Sequence, residues 1–287
     1  MNRKQALQSI AAGSAGIVGL PSIAKAMSLL PEALKGTINH SACRWCYQDI
    51  PLEDLVVSAK AMGLKSIELL GADEWAVVNK HGMTCAMGYG SKVGLNKGFN
   101  DPTLHDQLLK DYTVSIPKAA EAGLKNIICF SGNTNGLSSE KGIENCAKGL
   151  DPVVKIAQKY NMTVSMELLN SKVDHKDYQC DHTAWGVQLC EKLGSENFKL
   201  LYDIYHMQIM EGDVIATIKK QIKYISHFHT GGVPGRHEID DTQELQYPAI
   251  MKAIAATGFK GFVAQEFIPA KADKLASLKQ GVEICDI

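Results

Sequence analysis

The stretch Val164-Ser165-Met166-Glu167-Leu168-Leu169-Asn170 reads as a short apolar strand that runs out on a carboxylate. Side chains on a strand alternate between two faces, so Thr163, Ser165 and Glu167 share one face. The same pattern recurs three times downstream, where Asp203 closes KLLYD, His229 closes YISHFH and Glu266 closes GFVAQE. Leu201 shares a face with Asp203, and Ala264 with Glu266. The four polar residues are separated by 36, 26 and 37 residues, and a (β/α)8 barrel spends roughly 30 residues on each strand–helix unit. They are therefore expected at the C-terminal ends of four successive strands, all pointing into the mouth of one barrel.

The rest of the chain supports that count. Strands are expected over 36–41, 65–70, 83–87 and 126–130, ahead of those ending at Glu167, Asp203, His229 and Glu266. Helices are expected over 51–62, 102–122, 139–160 (irregular near Asp151-Pro152), up to Leu193, and over 213–222, 248–256 and 272–285. Gly63 and Gly123 supply stop signals, and Glu53 with Asp54 an acidic first turn. Eight strands alternating with helices at this spacing predict an α/β fold, a single (β/α)8 TIM barrel over 36–287.

Composition excludes several classes. The 287 residues are 45% hydrophobic and 21% charged, with a formal net charge of −1, so nothing in the charge balance points to nucleic acid or an anionic membrane. The eight cysteines sit mostly within apolar runs, unlike a disulfide framework. Residues 1–26 differ in character. Arg3 and Lys4 precede an apolar run from Ala6 to Leu20, then Ala24-Lys25-Ala26, the pattern of an export signal and a periplasmic destination. A cytoplasmic location with an irregular terminal helix is the alternative. Residues 27–35 would be a linker, and after signal removal no membrane partner is expected.

Two glutamates, an aspartate and a histidine at one barrel mouth form a set of donors suited to Mg²⁺ or Mn²⁺, with Co²⁺ admissible and Zn²⁺ less favoured. Three carboxylates packed without a cation would repel one another. His206, three residues past Asp203 in the expected loop, is a candidate for substrate hydrogen bonding or for orienting a ligand. Arg236, in VPGRHE, is placed to fork onto a substrate carboxylate, the alternative being a salt bridge to Glu238. Trp45, between Cys43 and Cys46, reads as an apolar cover over the substrate. His227 lies one layer deeper, as a buried support.

The blocks CRWCYQDIP, MELLNSKVDH, YDIYHMQIMEGD, HFHTGGVPGRHEID and GFKGFVAQEFIP resemble the hydroxypyruvate isomerases of the xylose-isomerase-like barrel superfamily over nearly the whole chain after residue 36. The resemblance implies Glu167 and Glu266 as the catalytic proton donor and acceptor. It implies a metal held by Glu167, Asp203, His229 and Glu266, and substrate contacts from His206 and Arg236. It further implies interconversion of hydroxypyruvate and tartronate semialdehyde through an enediolate. His229 stands where many such isomerases carry glutamine and ketose 3-epimerases carry histidine. Val173 stands where those epimerases carry a glutamate. The alternatives are thus a ketose 3-epimerase or another sugar isomerase and, from a different class, a non-catalytic metal-dependent protein that binds sugars or hydroxy acids. Homo-oligomerisation is left open.

Overall fold

The computed structural model describes residues 34–287, so the expected export signal and most of the expected linker lie outside the described residues. Eight parallel strands run in the order β2-β1-β8-β7-β6-β5-β4-β3. They are β1 (Asn39–Cys43), β2 (Ser66–Glu68), β3 (Gly88–Tyr89), β4 (Asn126–Cys129), β5 (Thr163–Glu167), β6 (Phe198–Asp203), β7 (Ile225–Thr230) and β8 (Phe262–Gln265). Single bridges, Ser66 to Thr84 and Leu70 to Gly88, bring β2 back to β3 and nearly close the barrel.

The helices on the outside are α1 (Leu52–Ala61), α2 (Trp75–Lys80), α3 (His105–Glu121), α4 (Ser139–Lys159), α5 (Thr183–Leu193), α6 (Ile204–Met210), α7 (Val214–Gln221), α8 (Tyr247–Ala256) and α9 (Lys274–Cys285). None is long and apolar enough to cross a membrane. All eight cysteines are free and buried.

Three local expectations need correction. The strand expected over 83–87 shrinks to Gly88–Tyr89, with Thr84 making only an isolated bridge. α4 continues through Pro152 without a break. The lost amide hydrogen bond is offset by the face of Leu150, Val153 and Val154, which is buried against the barrel on both sides of the proline. Finally, His206 lies on a helix, because Asp203 Oδ1 accepts the His206 amide at 3.1 Å and caps α6 directly at the strand end.

One irregularity sets the site. Between β6 and β7 the register shifts, Leu200 pairing with Ile225 but Leu201 with His227, so that Ser226 is the extra residue. The bulge places His229 level with Asp203.

Glu238 ties the loop after β7 to the segment entering α9. Its carboxylate accepts the amides of Ala270 (3.1 Å) and Lys271 (3.0 Å) and the Ser277 hydroxyl (2.8 Å). It does not pair with Arg236. Burial would raise its pKa, yet the amide of Lys271 and the other donors hold it below the usual carboxylate range. Glu238→Ala should therefore cost about 2–3 kcal/mol at neutral pH, by leaving those donors unpaired. A depressed folded pKa gives stability that is complete above the unfolded value of about 4.3 and is lost as pH falls through the folded one. In denaturant melts the gap between wild type and variant should thus narrow from about pH 5 to pH 3. A gap constant with pH would show that the ionised carboxylate is not what the loop depends on.

Candidate active site at the barrel mouth

Glu167 ends β5, Asp203 ends β6, His229 lies in β7 and Glu266 follows β8 directly. The structure brings together one ligand atom from each, all four within 4.8 Å of one another, on buried residues. His229 Nδ1 is 3.2 Å from Glu167 Oε1 and 3.0 Å from Glu266 Oε2. Asp203 Oδ2 is buried and accepts no hydrogen bond, although Arg236 Nη2 (3.5 Å) and His206 Nε2 (3.6 Å) lie near it. An unpartnered carboxylate oxygen among two further carboxylates and an imidazole fits a hard divalent cation.

The carboxyls do not behave alike. Burial, reinforced by the negative charge of Glu266, pushes the pKa of Glu167 up, and burial pushes that of Asp203 up as well. Burial would raise Glu266 too, but His229 and Arg236 beside it hold it well below the carboxylate range. With no substrate bound, Glu167 thus holds a proton more readily than Glu266, which stays ionised beside His229 and Arg236.

Arg236 sits in a tight turn, with Gly235 at φ 93° and Arg236 itself at φ 60°. Left-handed backbone at a non-glycine residue is uncommon and marks a constrained position. The turn is closed by the Arg236 amide on Gly232 O at 2.8 Å and by the Ile268 amide on Arg236 O at 2.6 Å. From there the guanidinium donates to Glu266 Oε2 and lies 5.1 Å from the Trp45 ring and 5.4 Å from that of Tyr205. Trp45, on the 3₁₀ turn Arg44–Tyr47, does more than cover the cavity, since its Nε1–H donates to Glu266 Oε1 at 2.9 Å.

His206 is fully buried, and its tautomer follows from Asn170. The amides of Val173 and Asp174 both donate to Asn170 Oδ1 at 2.9 Å, which leaves Asn170 Nδ2 as the donor to His206 Nδ1 at 2.7 Å. Nε2 therefore carries the proton and points toward Asp203. Burial, then the Arg236 charge, depresses the His206 pKa, so the ring is a neutral donor.

Above these groups opens a cavity of about 510 Å³ lined by Trp45, Tyr89, Phe130, His175 and Arg236, with Glu167 and Glu266 among its walls. Sequence reasoning passed over His175, Tyr89 and Glu68. Glu68 is wholly buried, its Oε1 2.8 Å from His227 Nε2 and 3.0 Å from His229 Nε2. His227 is buried beneath the site as expected, and Glu68 is what it supports.

Comparison with known proteins agrees with this architecture. The family model described as xylose isomerase-like TIM barrel matches residues 58–285. A 2-oxo-tetronate isomerase from Cupriavidus necator is 36% identical over 108 residues, which are 38% of this chain and 41% of that protein. The hydroxypyruvate isomerase of Escherichia coli is 28% identical over 169 residues, 58% of this chain and 65% of the relative. The matched stretch is less than two thirds of either relative's length. Among solved structures, an AP endonuclease of family 2 from Brucella melitensis superposes with a TM-score of 0.77 at 21% identity, covering 86% of this chain and 99% of that one, which shows a common fold. The chain belongs to the xylose isomerase-like TIM barrel family.

Proposed function

We propose that the protein is a metal-dependent isomerase of the hydroxypyruvate isomerase type, interconverting hydroxypyruvate and tartronate semialdehyde. The observation that carries this reading is the meeting of Glu167, Asp203, His229 and Glu266 around one point. These four residues would hold Mg²⁺ or Mn²⁺, with Co²⁺ also fitting the donor set. Bound there, the ion would supply Lewis-acid polarisation of the substrate carbonyl.

The protein's own groups do the rest. Glu167, with its raised proton affinity, takes a proton from the carbon beside the carbonyl and delivers it to the former carbonyl carbon. Glu266, ionised and held by Trp45, becomes the more basic once Arg236 leaves it for the substrate, and it then accepts the hydroxyl proton and passes it to the former carbonyl oxygen. The neutral His206 donates from Nε2 to the oxygen that gains charge, and Arg236 turns from Glu266 to the substrate carboxylate. Trp45 shields the reacting carbons from water.

The histidine at 229 favours a second reading, a ketose 3-epimerase. The paired glutamates would then work on opposite faces of the same carbon. Proton exchange in heavy water, followed by NMR on the metal-loaded protein with hydroxypyruvate and with neutral ketoses, separates the two. Deuterium entering hydroxypyruvate with formation of tartronate semialdehyde is expected. Exchange confined to ketoses would favour the epimerase. Ligand binding without exchange of any carbon-bound hydrogen would make the protein a binder and end the isomerase reading. In the same assay Arg236→Ala should lower kcat/KM on the acid at least about 30-fold more than on a neutral ketose, the scale of a truncated buried charge pair. Equal losses on both would remove Arg236 as the carboxylate clamp.

A further inference from the structure

Glu68 reaches from β2 across the barrel interior to β7, which is separated from β2 in the sheet by β1 and β8. One oxygen, Oε1, lies between the Nε2 atoms of His227 and His229, at 2.8 and 3.0 Å, while the Cys43 thiol stands 4.0 Å away. His229 meets Glu68 with Nε2 and meets Glu167 and Glu266 with Nδ1. The ring therefore divides the barrel into two levels, with one nitrogen for each.

An imidazole can offer a lone pair to a cation only from a nitrogen without a proton, and the hydrogen bond at the other nitrogen decides which that is. We propose that Glu68 is a positioning residue that keeps the His229 proton on Nε2, so that Nδ1 is the nitrogen presented to the ion at Glu167, Asp203 and Glu266. This rests on the metal-site reading of those four residues. His227 completes the arrangement. It meets the same oxygen with its own Nε2 at 2.8 Å, so Glu68 cannot swing away without losing two bonds inside the buried barrel interior, where unpaired polar groups are costly. The position of Glu68 thus sets both the ring's orientation and the basicity of its free nitrogen.

The same atoms allow a rival arrangement. Cys43 Sγ, a Glu68 oxygen and His229 Nε2 also lie within 4.8 Å of one another. An ion bound there would need Nε2 without its proton, which Glu68 as an acceptor forbids.

The test uses the full chain and Mn²⁺ titrated by calorimetry. Wild type should bind one ion, and Glu68→Gln should bind it 10- to 100-fold more weakly, on the order of the usual loss when a carboxylate behind a ligating histidine is removed. Unchanged affinity overturns the role of Glu68 alone, as does a stoichiometry of two ions per wild-type chain. Should the variant fail to fold, histidine-ring ¹⁵N NMR on Mg²⁺-loaded wild type decides instead. A protonated Nε2 and a bare Nδ1 on His229 support the proposal, and the reverse tautomer overturns it. Wild type that binds none of Mg²⁺, Mn²⁺ or Co²⁺ overturns the metal-site reading itself, a result distinct from the others.

Discussion

Glu167→Gln is expected to cut deuterium incorporation from solvent into substrate by between about 10² and 10⁴-fold, the range general acid–base groups contribute. The amide fills the same volume and can donate from its NH₂ group to the bare His229 Nδ1, so packing around β5 is kept while the proton acceptor is gone. Glu266→Gln should lose a similar factor by a different route. Its amide oxygen can still receive the Trp45 Nε1–H, which is 2.9 Å from Oε1 in the native protein. What disappears is the anion facing Arg236 and His229. Melting temperatures separate loss of chemistry from loss of fold. Removing the Glu167 carboxylate relieves like-charge repulsion, so Glu167→Gln should not unfold appreciably earlier than wild type in the absence of added ions, whereas Glu266→Gln leaves the buried Arg236 charge without its partner and should melt earlier. Exchange at the wild-type rate in either variant would take that glutamate out of the reaction.

Asp203 serves two parts of the molecule with its two oxygens, and substitutions should separate them. Oδ1 caps α6 through the His206 amide, whereas Oδ2 faces the site without a hydrogen-bond partner. Asp203→Asn can retain the capping oxygen while replacing the second oxygen with an amide nitrogen that cannot ligate a cation. Mn²⁺ affinity should then fall by about 100-fold or more, equivalent to roughly 2.7 kcal/mol, with little change in the melting of the ion-free chain. Asp203→Ala should lose the ion equally and in addition destabilise the protein by about 1 kcal/mol, the usual cost of a helix N-cap. Calorimetry and denaturant melts on the two variants together provide the check. An Asp203→Asn protein that binds Mn²⁺ like wild type would remove Asp203 from the donor set.

Much of this arrangement was legible because an apolar run that stops on a polar residue has few meanings in a barrel. Glu167 and Asp203 close their strands, and Glu266 comes one residue after β8, as the alternation indicates. His229 is followed by one more strand residue, Thr230. Helix limits fell close to Gly63 and Gly123, where the backbone takes positive φ. Glu68 was illegible for a physical reason. In KSIELL it is followed by Leu69 and Leu70, so it does not read as the end of a strand although β2 stops there, and the imidazoles that make its burial tolerable are 159 and 161 residues away in sequence. α6 escaped notice because seven residues of Ile, Tyr, His, Met and Gln carry too little periodicity to tell helix from strand. Asn170 stood within the decisive stretch, but its effect on the His206 tautomer depends on two amides that only the folded loop delivers.

The extra residue at Ser226 has a bearing on how such a protein changes over generations. Regular pairing continued from Ile225 would set Phe228 opposite Asp203 and turn both histidines of β7 outward to the helices. Ironing out the bulge at constant length would thus put a phenyl ring where the proposed cation ligand stands, whereas loss of the one extra residue would leave His229 opposite Asp203. Relatives that differ in chemistry at this mouth are better compared by counting residues along β7 than by matching letters.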